Sequence, residues 1–461
     1  SYKVDTTAPS VNSFTLSETT LKAGDEATVT LVFSEAVASF SSFADITVDN
    51  GTLATMTSSD KITWTGTFTP PANLEDDSNT LSLSTSYSDT AGNAGPVETT
   101  ANYEIDTLAP SVNSFTLSDM TLKAGDTATV TLVFSEAVAS FSSSADVTVA
   151  NGTLATMSST DDITWSGTFT PTTNTEDDSN RFSLATSYTD TAGNVGSVAT
   201  TVNYEVETMA PTVNSIVISS ATGIQNNFLN AGDNISVTAT FSESVIVDNA
   251  SGTPTLTLVV GSTDRTATYT SGDNSTALVF KYTIQAGETD TDGISIGDNV
   301  LTLNSGTIRD AAGNNATITH SAVSANSSYK VDTTAPTVSS VAITSATNDQ
   351  NNFLNAADVA SVTATFSENV PVTGTPQLTL VVGSTDQTAT YTSGDNSTTL
   401  VFSYTIQAGE TDVDGISIGA NALALNSGTI RDAAGNNATL THSSVLYNTS
   451  YKVDTTAPTV S

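Results

Sequence analysis

The amino-acid sequence predicts an all-β protein made of four tandem β-sandwich domains joined end to end by short linkers. One observation is a repeated phrase: Val-Asp-Thr-Thr-Ala-Pro stands at 4–9, 331–336 and 453–458, with degenerate copies at 105–110 and 206–211. The junction prolines are 101, 101, 125 and 122 residues apart, which indicates four repeats. The other observation is that apolar residues alternate with threonine and serine over short segments, the period-two pattern of half-buried strands.

These junctions set the predicted domain boundaries, and each repeat is long enough to bury its own core. The chain starts and ends with the same sequence motif, so we expect it to be a segment of a longer tandem array. The predicted repeats are 1–107, with a linker stub at 1–8; 108–208; 209–333; and 334–461, with a linker stub at 454–461.

In repeat 1, short strands alternate with turn signals. We predict about seven strands in about 100 residues, which is typical of an immunoglobulin-like sandwich. No segment has convincing helical periodicity apart from a turn near 310–315. The predicted features are a strand at 11–16, a turn at 22–25, a strand ending in Phe33, a hairpin at Asn50-Gly51, a strand at 62–69, a strand opening with Leu81 and Leu83, and a last strand at 99–105.

The other repeats vary this plan in two ways. Repeat 2 restates repeat 1 almost word for word, whereas repeats 3 and 4 form a more divergent and longer pair. Their additional segments, such as 255–260 and 378–382, predict longer middle strands and extra hairpin material. Trp64 and Trp165 fall on the apolar face of a strand, so we expect both to pack in the core.

The composition limits the partners of the chain. It has 48 Asp and Glu against 11 Lys and Arg, a net charge of −37, which argues against nucleic acid and against anionic lipid surfaces. No apolar run reaches membrane length, so we expect no membrane insertion. Cysteine is absent, so neither disulfides nor thiolate chemistry contributes. A folded chain this acidic has to tolerate self-repulsion or hold cations.

Three acidic positions are expected to meet at each joint between repeats. In every repeat the second strand ends in Phe-Ser-Glu, a later loop reads Asp-x-Ala-Gly-Asn, and the linker carries its own acid. In a sandwich of this topology, these strand ends return to the linker end. Calcium takes six to eight oxygens without strict geometry, so we predict calcium at the joints. The predicted ligands are Asp5, Glu35, Asp89 and Asn93; Glu104, Asp106, Glu136, Asp190 and Asn194; Glu205, Glu207, Glu243, Asp310 and Asn314; and Asp332, Glu368, Asp432 and Asn436.

A second acidic group lies at the opposite end of each repeat. It is consistent with either a second ion or an ordinary polar turn. The simpler interpretation also exists for the joint acids, because acidic residues are usually solvated. However, three like charges brought together without a cation repel strongly. The second group comprises Asp25, Asp76 and Asp77; Asp126, Asp177 and Asp178; Asp233, Asp290 and Asp292; and Asp358, Asp412 and Asp414.

These motifs resemble the bacterial immunoglobulin-like repeats of giant surface adhesins, many of which leave the cell by type I secretion and carry RTX repeats. The matching motifs are Asp-Thr-Thr-Ala-Pro, Phe-Ser-Glu and Asp-x-Ala-Gly-Asn, and the resemblance extends from Val4 to Pro458. It implies extender repeats that bind calcium near their linkers and project a distal ligand-binding domain from the cell. Two positions depart from the pattern: Met209 follows Glu207 at the third junction, and Ala357 stands where the other repeats have glycine.

The resulting hypothesis is a non-enzymatic spacer, secreted to the bacterial cell surface, whose partners are calcium ions and its own neighbouring repeats. We expect a monomeric rod that binds no nucleic acid. No catalytic arrangement of side chains is apparent in the sequence. One alternative is that the repeats bind a glycan or protein directly, which an exposed aromatic cluster in a single repeat would favour; none is evident from the sequence. Another is that they are accessory modules of a secreted hydrolase.

Overall fold

The computed structural model describes residues 2–459 and divides the chain into two compact units, Ser1–Met209 and Ala210–Ser461. Each unit contains two hydrophobic cores, and each core lies within one predicted repeat. The division between the units falls one residue after the predicted boundary at 208/209. The outer ends of the predicted linker stubs, residue 1 and residues 460–461, lie outside the described residues.

Repeat 1 is a sandwich of three small sheets with the strand orders β1-β3-β6-β5, β2-β10-β7 and β4-β8-β9. Buried side chains from all three sheets share one core. The elements are β1 (Val11–Leu16), β2 (Thr20–Lys22), β3 (Ala27–Phe33), α1 (Ser42–Asp45), β4 (Ile46–Val48), β5 (Thr52–Leu53), β6 (Thr63–Thr69), β7 (Glu75–Asn79), β8 (Leu81–Leu83), β9 (Glu98–Thr99) and β10 (Tyr103–Asp106).

Repeat 2 has the same plan, with the strand orders β11-β13-β16-β15, β12-β20-β17 and β14-β18-β19. Its elements are β11 (Val112–Leu117), β12 (Thr121–Lys123), β13 (Ala128–Phe134), α2 (Ser143–Asp146), β14 (Val147–Thr148), β15 (Gly152–Leu154), β16 (Thr164–Pro171), β17 (Glu176–Asn180), β18 (Ser183–Leu184), β19 (Ala199–Thr200) and β20 (Tyr204–Glu207). Neither helix, at four residues each, is long enough to cross a bilayer, and the described residues hold no helix that is.

Repeat 3 has one large sheet, β21-β23-β26-β25-β24-β28, with β29 also paired to β23, and a small sheet, β22-β30-β27. The long β23 has 15 residues where β3 has seven, and β24 with β25 forms an added hairpin, as the sequence predicts. The strands are β21 (Val213–Thr222), β22 (Phe228–Leu229), β23 (Asn234–Asp248), β24 (Thr255–Val260), β25 (Thr263–Ser271), β26 (Ser275–Thr283), β27 (Thr289–Asp290), β28 (Leu301–Thr302), β29 (Thr307–Arg309) and β30 (Lys330–Asp332).

Repeat 4 follows repeat 3, with the strand orders β31-β33-β37-β36-β35-β39, β32-β41-β38 and β34-β40. Its strands are β31 (Val338–Ala346), β32 (Phe353–Leu354), β33 (Val359–Val370), β34 (Val372–Thr373), β35 (Gln377–Val382), β36 (Thr385–Ser393), β37 (Ser397–Thr405), β38 (Thr411–Asp412), β39 (Leu423–Ala424), β40 (Thr429–Ile430) and β41 (Lys452–Asp454).

The cores form as the alternating pattern predicts. Along β3, Ala27, Val29, Leu31 and Phe33 are fully buried, while the threonines between them face outward or are half-buried. Full burial of each large apolar side chain contributes about 1.5–3 kcal/mol. Trp64 is half-buried and packs on this core, with its ring edge-on to Phe40 at a centroid distance of 4.8 Å.

The structure differs from the predicted strands of repeat 1 in several places, one of which is the unpredicted strand β7, paired with β10. The predicted turn at 22–25 is preceded by β2, which pairs in parallel with β10. The predicted last strand, 99–105, is two strands, because β9 pairs with β8 whereas β10 pairs with β2 and β7. The helix α1 has only four residues, too few to leave a helical period in the sequence.

Ala357 keeps the turn that the other repeats build with glycine. Its φ is 76°, in the left-handed region where Gly232 of repeat 3 has a φ of 96°. A side chain there costs conformational energy. The turn is nevertheless closed, because the Asn355 backbone N–H donates to the Asp358 carboxylate at 2.7 Å.

Candidate metal centre

The Asp-x-Ala-Gly-Asn loop holds a buried carboxylate at each joint. In repeat 2, the Oδ1 atom of Asp190 accepts hydrogen bonds from the backbone N–H groups of Gly193 at 2.7 Å and Asn194 at 2.8 Å. Gly193 has a φ of +95°, which only glycine adopts without strain. Asp190 is 1% exposed, so the loop presents an ionisable group in a mostly desolvated position.

Each residue of the Phe-Ser-Glu motif has a separate structural role. Phe134 is fully buried in the core of repeat 2. The Oγ atom of Ser135 accepts a hydrogen bond from the Ser111 backbone N–H at 2.9 Å, which ties the strand end to the chain just after Pro110. Glu136 is then left half-buried beside the linker. The same serine contact recurs in repeats 1, 3 and 4.

The linker acid belongs to the preceding repeat. Asp106 ends β10, and the following Thr107 donates its hydroxyl to the Pro71 carbonyl oxygen at 2.7 Å. The Thr107 backbone N–H also donates to the Leu74 carbonyl oxygen at 2.8 Å. Repeat 1 therefore positions Asp106, whereas repeat 2 positions Glu136 and Asp190. A ligand shared by the three carboxylates would connect two repeats.

The structure brings three predicted carboxylate sets together. One oxygen from each member lies within 4.8 Å of the others. Calcium binds oxygen at about 2.3–2.6 Å, so ligands on opposite sides of one ion lie up to about 5 Å apart, and this spacing fits a single calcium ion. Calcium binding itself stays a prediction. The sets are Asp5, Glu35 and Asp89; Asp106, Glu136 and Asp190; and Asp332, Glu368 and Asp432.

The electrostatics of the joints reflect this crowding. Burial, followed by the charges of Asp106, Asp190 and Glu75, raises the pKa of Glu136 to about 7. Burial also raises the pKa of Asp106, with Asp190 and Glu75 adding to it. In the second unit, burial together with two neighbouring aspartates raises the pKa of Glu368. The joints inside the two units thus hold these carboxylates where their charge is disfavoured, and a bound cation would relieve that cost. In the Asp5 set, by contrast, the hydrogen bond from Asn93 lowers the pKa of Asp89.

Glu75 also acts at this joint, although the sequence groups it with Asp76 and Asp77 in the second acidic group. It stands opposite Asp106 across the pairing of β7 with β10, and it acts on both Asp106 and Glu136. The sequence places it at the far end of repeat 1, but that end adjoins repeat 2. Residues 75–77 have no apolar alternation, so the sequence does not reveal that they form a strand paired with the strand that ends in Asp106.

The asparagines of the loops act as positioning groups. The Nδ2 atom of Asn194 donates to the Asp106 carbonyl oxygen at 2.9 Å and to the Asp190 carboxylate at 2.8 Å. Its Oδ1 atom accepts a hydrogen bond from the Ala23 backbone N–H at 2.8 Å. Asn93 and Asn436 likewise bridge the loop and the linker carbonyl. Metal ligation by these asparagines stays a prediction. Glu104 and Glu205 are exposed on their strands and belong to no carboxylate cluster among residues 2–459.

The second acidic group is divided between turns and strands, because the acids near 76, 177, 290 and 412 lie in β7, β17, β27 and β38 rather than in the predicted loops. The Oδ2 atom of Asp25 accepts the Lys22 backbone N–H at 3.1 Å, and Asp126, Asp233 and Asp358 make the same contact in their repeats. Asp290 and Asp412 each accept two backbone N–H groups of glycine, and Asp76 and Asp177 each accept a backbone N–H and an asparagine amide. Asp77, Asp178, Asp292 and Asp414 are exposed. None of the twelve belongs to a carboxylate cluster in the described part of the chain.

The predicted third joint spans the two units. Glu207 lies in Ser1–Met209, whereas Glu243 and Asp310 lie in Ala210–Ser461. Within the second unit, the loop has its usual form: Asp310 accepts the backbone N–H groups of Gly313 and Asn314 at 2.6 and 2.7 Å. The shared site of these acids stays a prediction.

The raised pKa of Glu136 predicts a pH dependence in calcium-free buffer. Between pH 4.5, the ordinary pKa, and about 7, the folded state holds a proton that the unfolded state releases. The stability of the first unit should therefore fall as pH rises through this window. Calorimetric unfolding should show that Glu136→Gln flattens this slope, while exposed Glu18→Gln leaves it unchanged. An unchanged slope in Glu136→Gln would contradict the assignment.

Comparison with known proteins assigns a family to the first unit. The sequence model of the family described as the bacterial Ig-like domain matches residues 5–105 and again 106–206. No curated protein sequence matches the chain. Residues 5–105 and 106–206 are two tandem bacterial Ig-like domains.

Two solved structures are similar at low levels. FdeC, an Escherichia coli adhesin, is 14% identical and covers 70% of this chain and 96% of its own, with a TM-score of 0.24. The I9–I11 tandem of titin is 8% identical and covers 67% of this chain and 98% of its own, also with a TM-score of 0.24. Superpositions this poor support no inference, so the assignment of residues 5–206 to bacterial Ig-like domains rests on the two sequence matches.

Proposed function

We propose that this chain is a calcium-rigidified spacer of a bacterial surface adhesin, secreted to the cell surface, without catalytic activity. The observation that carries the proposal is the set of three carboxylates at a joint, where one acid comes from the preceding repeat and two from the following repeat. The match of residues 5–206 to bacterial Ig-like domains supports the adhesin class. In such a role the chain would project a distal ligand-binding domain away from the cell.

The proposed mechanism is mechanical. An ion between Asp106, Glu136 and Asp190 would neutralise their mutual repulsion and join three points of the structure: the end of β10, the end of β13 and the Asp190 loop. The chain between Asp106 and Pro110 is short, and the residue before a proline is already restricted. The ion would remove the remaining hinge freedom of the linker.

The first test is the calcium dependence of thermal unfolding. With a dissociation constant of about 10⁻⁴ M, which is typical of extracellular modules, ~5 mM calcium should stabilise each occupied site by about 2 kcal/mol. Calorimetry in chelator and in calcium should show a higher midpoint with calcium. Glu136→Gln should reduce the gain of the first unit, whereas exposed Glu18→Gln should preserve it.

Magnesium provides a selectivity control, because it requires shorter bonds and octahedral geometry and should substitute poorly. Identical melting curves in chelator and in calcium would refute the spacer proposal. If Glu136→Gln unfolded repeat 2 in both conditions, Glu136 would be a structural residue rather than an ion ligand.

One observation favours the alternative of direct ligand binding: repeat 4 has an exposed apolar patch with one aromatic residue that repeat 3 lacks. In repeat 4, Val413, Leu446 and Tyr447 are 74%, 76% and 62% exposed. Repeat 3 has Thr291, Ser324 and Ala325 at the matching positions. Tyr447 and Val413 line a shallow groove of about 250 Å³ that also contains backbone and hydroxyl groups and the carboxylates of Asp412 and Asp414.

This groove combines apolar and polar groups, as a saccharide site does. In such a site an aromatic face packs on the sugar ring, and carboxylates accept hydrogen bonds from the sugar hydroxyl groups. The full chain on a glycan array should then bind a defined saccharide class. Exchanging Val413, Leu446 and Tyr447 for the Thr, Ser and Ala of repeat 3 should abolish the signal. The opposite exchange in repeat 3 should create a second site. If no saccharide on the array binds the chain, either with calcium or without it, this alternative is eliminated.

A further inference from the structure

The joint inside the second unit contains a direct contact between repeats. The Nδ2 atom of Asn226 donates to the Ala433 carbonyl oxygen at 3.0 Å, and the Nδ2 atom of Asn230 donates to the Ala434 carbonyl oxygen at 3.0 Å. Both donors are in repeat 3 and both acceptors are in the Asp-x-Ala-Gly-Asn loop of repeat 4. We call Asn226 and Asn230 the asparagine clamp.

The loop held by the clamp is more buried than its counterpart. Ala434 is 1% exposed, whereas Ala192, at the same place in the loop of repeat 2, is exposed. The loop sequences differ at one position, so the difference arises from the neighbouring repeat. Gln225 packs so closely that a Cβ added to Gly435 would lie 2.6 Å from its Nε2 atom. Repeat 3 therefore covers the loop of repeat 4 tightly.

The joint inside the first unit also has a direct hydrogen bond between repeats, from the Ala23 backbone N–H to the Oδ1 atom of Asn194 at 2.8 Å, but Lys22 stands where repeat 3 has the clamp residue Asn230. A polar groove of about 540 Å³ lies between repeats 1 and 2, lined by Lys22, Glu75 and Ala192 among others. Glu75 adds a fourth carboxylate there, opposite Asp106. In the second unit the residue opposite the linker aspartate Asp332 is Thr289, which carries no charge. The first joint thus has more repulsion to overcome and a more open interface.

We infer that the two joints differ in their calcium dependence: the second unit keeps its joint ordered without calcium, whereas the first unit requires the ion. This inference rests on the proposed function for the first joint. In the second unit the neutral amide-to-carbonyl hydrogen bonds do not depend on a cation, and they hold the same loop that the ion would hold. One chain would then contain a permanently stiff joint and a calcium-controlled hinge.

The test uses spin labels, for which the chain is suited because it has no native cysteine. Cysteines at the exposed, matching positions Thr67 and Thr168 report on the first unit, and Thr266 and Thr388 report on the second. Pulsed dipolar spectroscopy on the full chain gives each distance distribution in ~5 mM calcium and in chelator. Chelation should at least double the width of the first-unit distribution and leave the second-unit distribution unchanged.

The clamp is tested by Asn226→Gly with Asn230→Ala; glycine is used because Asn226 has a φ of 51°. This variant should make the second-unit distribution broaden in chelator and narrow again in calcium. The matched control is Asn351→Gly with Asn355→Ala, the exposed counterparts in repeat 4, which should leave it narrow. Ala434→Lys places a long charged side chain at the buried loop position that repeat 3 covers. It should broaden the second-unit distribution in chelator as the clamp variant does.

The outcomes separate the two proposals. If chelation broadens both wild-type distributions equally, the inference fails while the spacer function stands. If chelation broadens neither, the spacer function fails and the difference between the joints fails with it. If the clamp variant and Ala434→Lys both stay narrow in chelator, the clamp does not hold the joint and the inference is overturned.

Discussion

The convergence of three carboxylates on a linker is the constraint on which the joints of this protein depend. Burial, together with the like charges held close by, raises the pKa values of Asp106 and Glu136, so the fold must hold them by other means. It does so with local hydrogen bonds: backbone N–H groups on Asp190, the Ser135 hydroxyl at the strand end, and Thr107 on the linker. The residues that make these hydrogen bonds belong to the sequence motifs that recur in every repeat.

The two sides of a joint contribute unequally, and this gives the repeats their directional character. At the joints inside the two units, the preceding repeat supplies the linker acid, and the following repeat supplies the strand-end glutamate and the loop aspartate. The preceding repeat also decides what else acts at the joint. In the first unit it adds the charge of Glu75, and in the second unit it adds the amides of Asn226 and Asn230. Repeats with nearly identical loops can therefore be joined in physically different ways.

The sequence was sufficient for whatever depends on local pattern. Alternation predicted the inward face of β3, and topology brought Glu136, Asp190 and Asp106 together. The missed features depend on contacts that alternation does not encode. The acidic strand β7 has no apolar period that would reveal its pairing with β10, and Asn226 contacts a carbonyl 207 residues away. The exposure of Tyr447 equally required the fold, because a tyrosine directly after Val445 and Leu446 fits a core as well as a surface.

The central claim is that a calcium ion occupies the joint, and anomalous diffraction tests it most directly. Crystals of the full chain grown in millimolar calcium should show an anomalous peak within about 2.3–2.6 Å of oxygens from Asp106, Glu136 and Asp190. The same peak should be missing from crystals of Glu136→Gln or should be much weaker. Well-ordered joints with no anomalous peak among these three carboxylates would contradict the account.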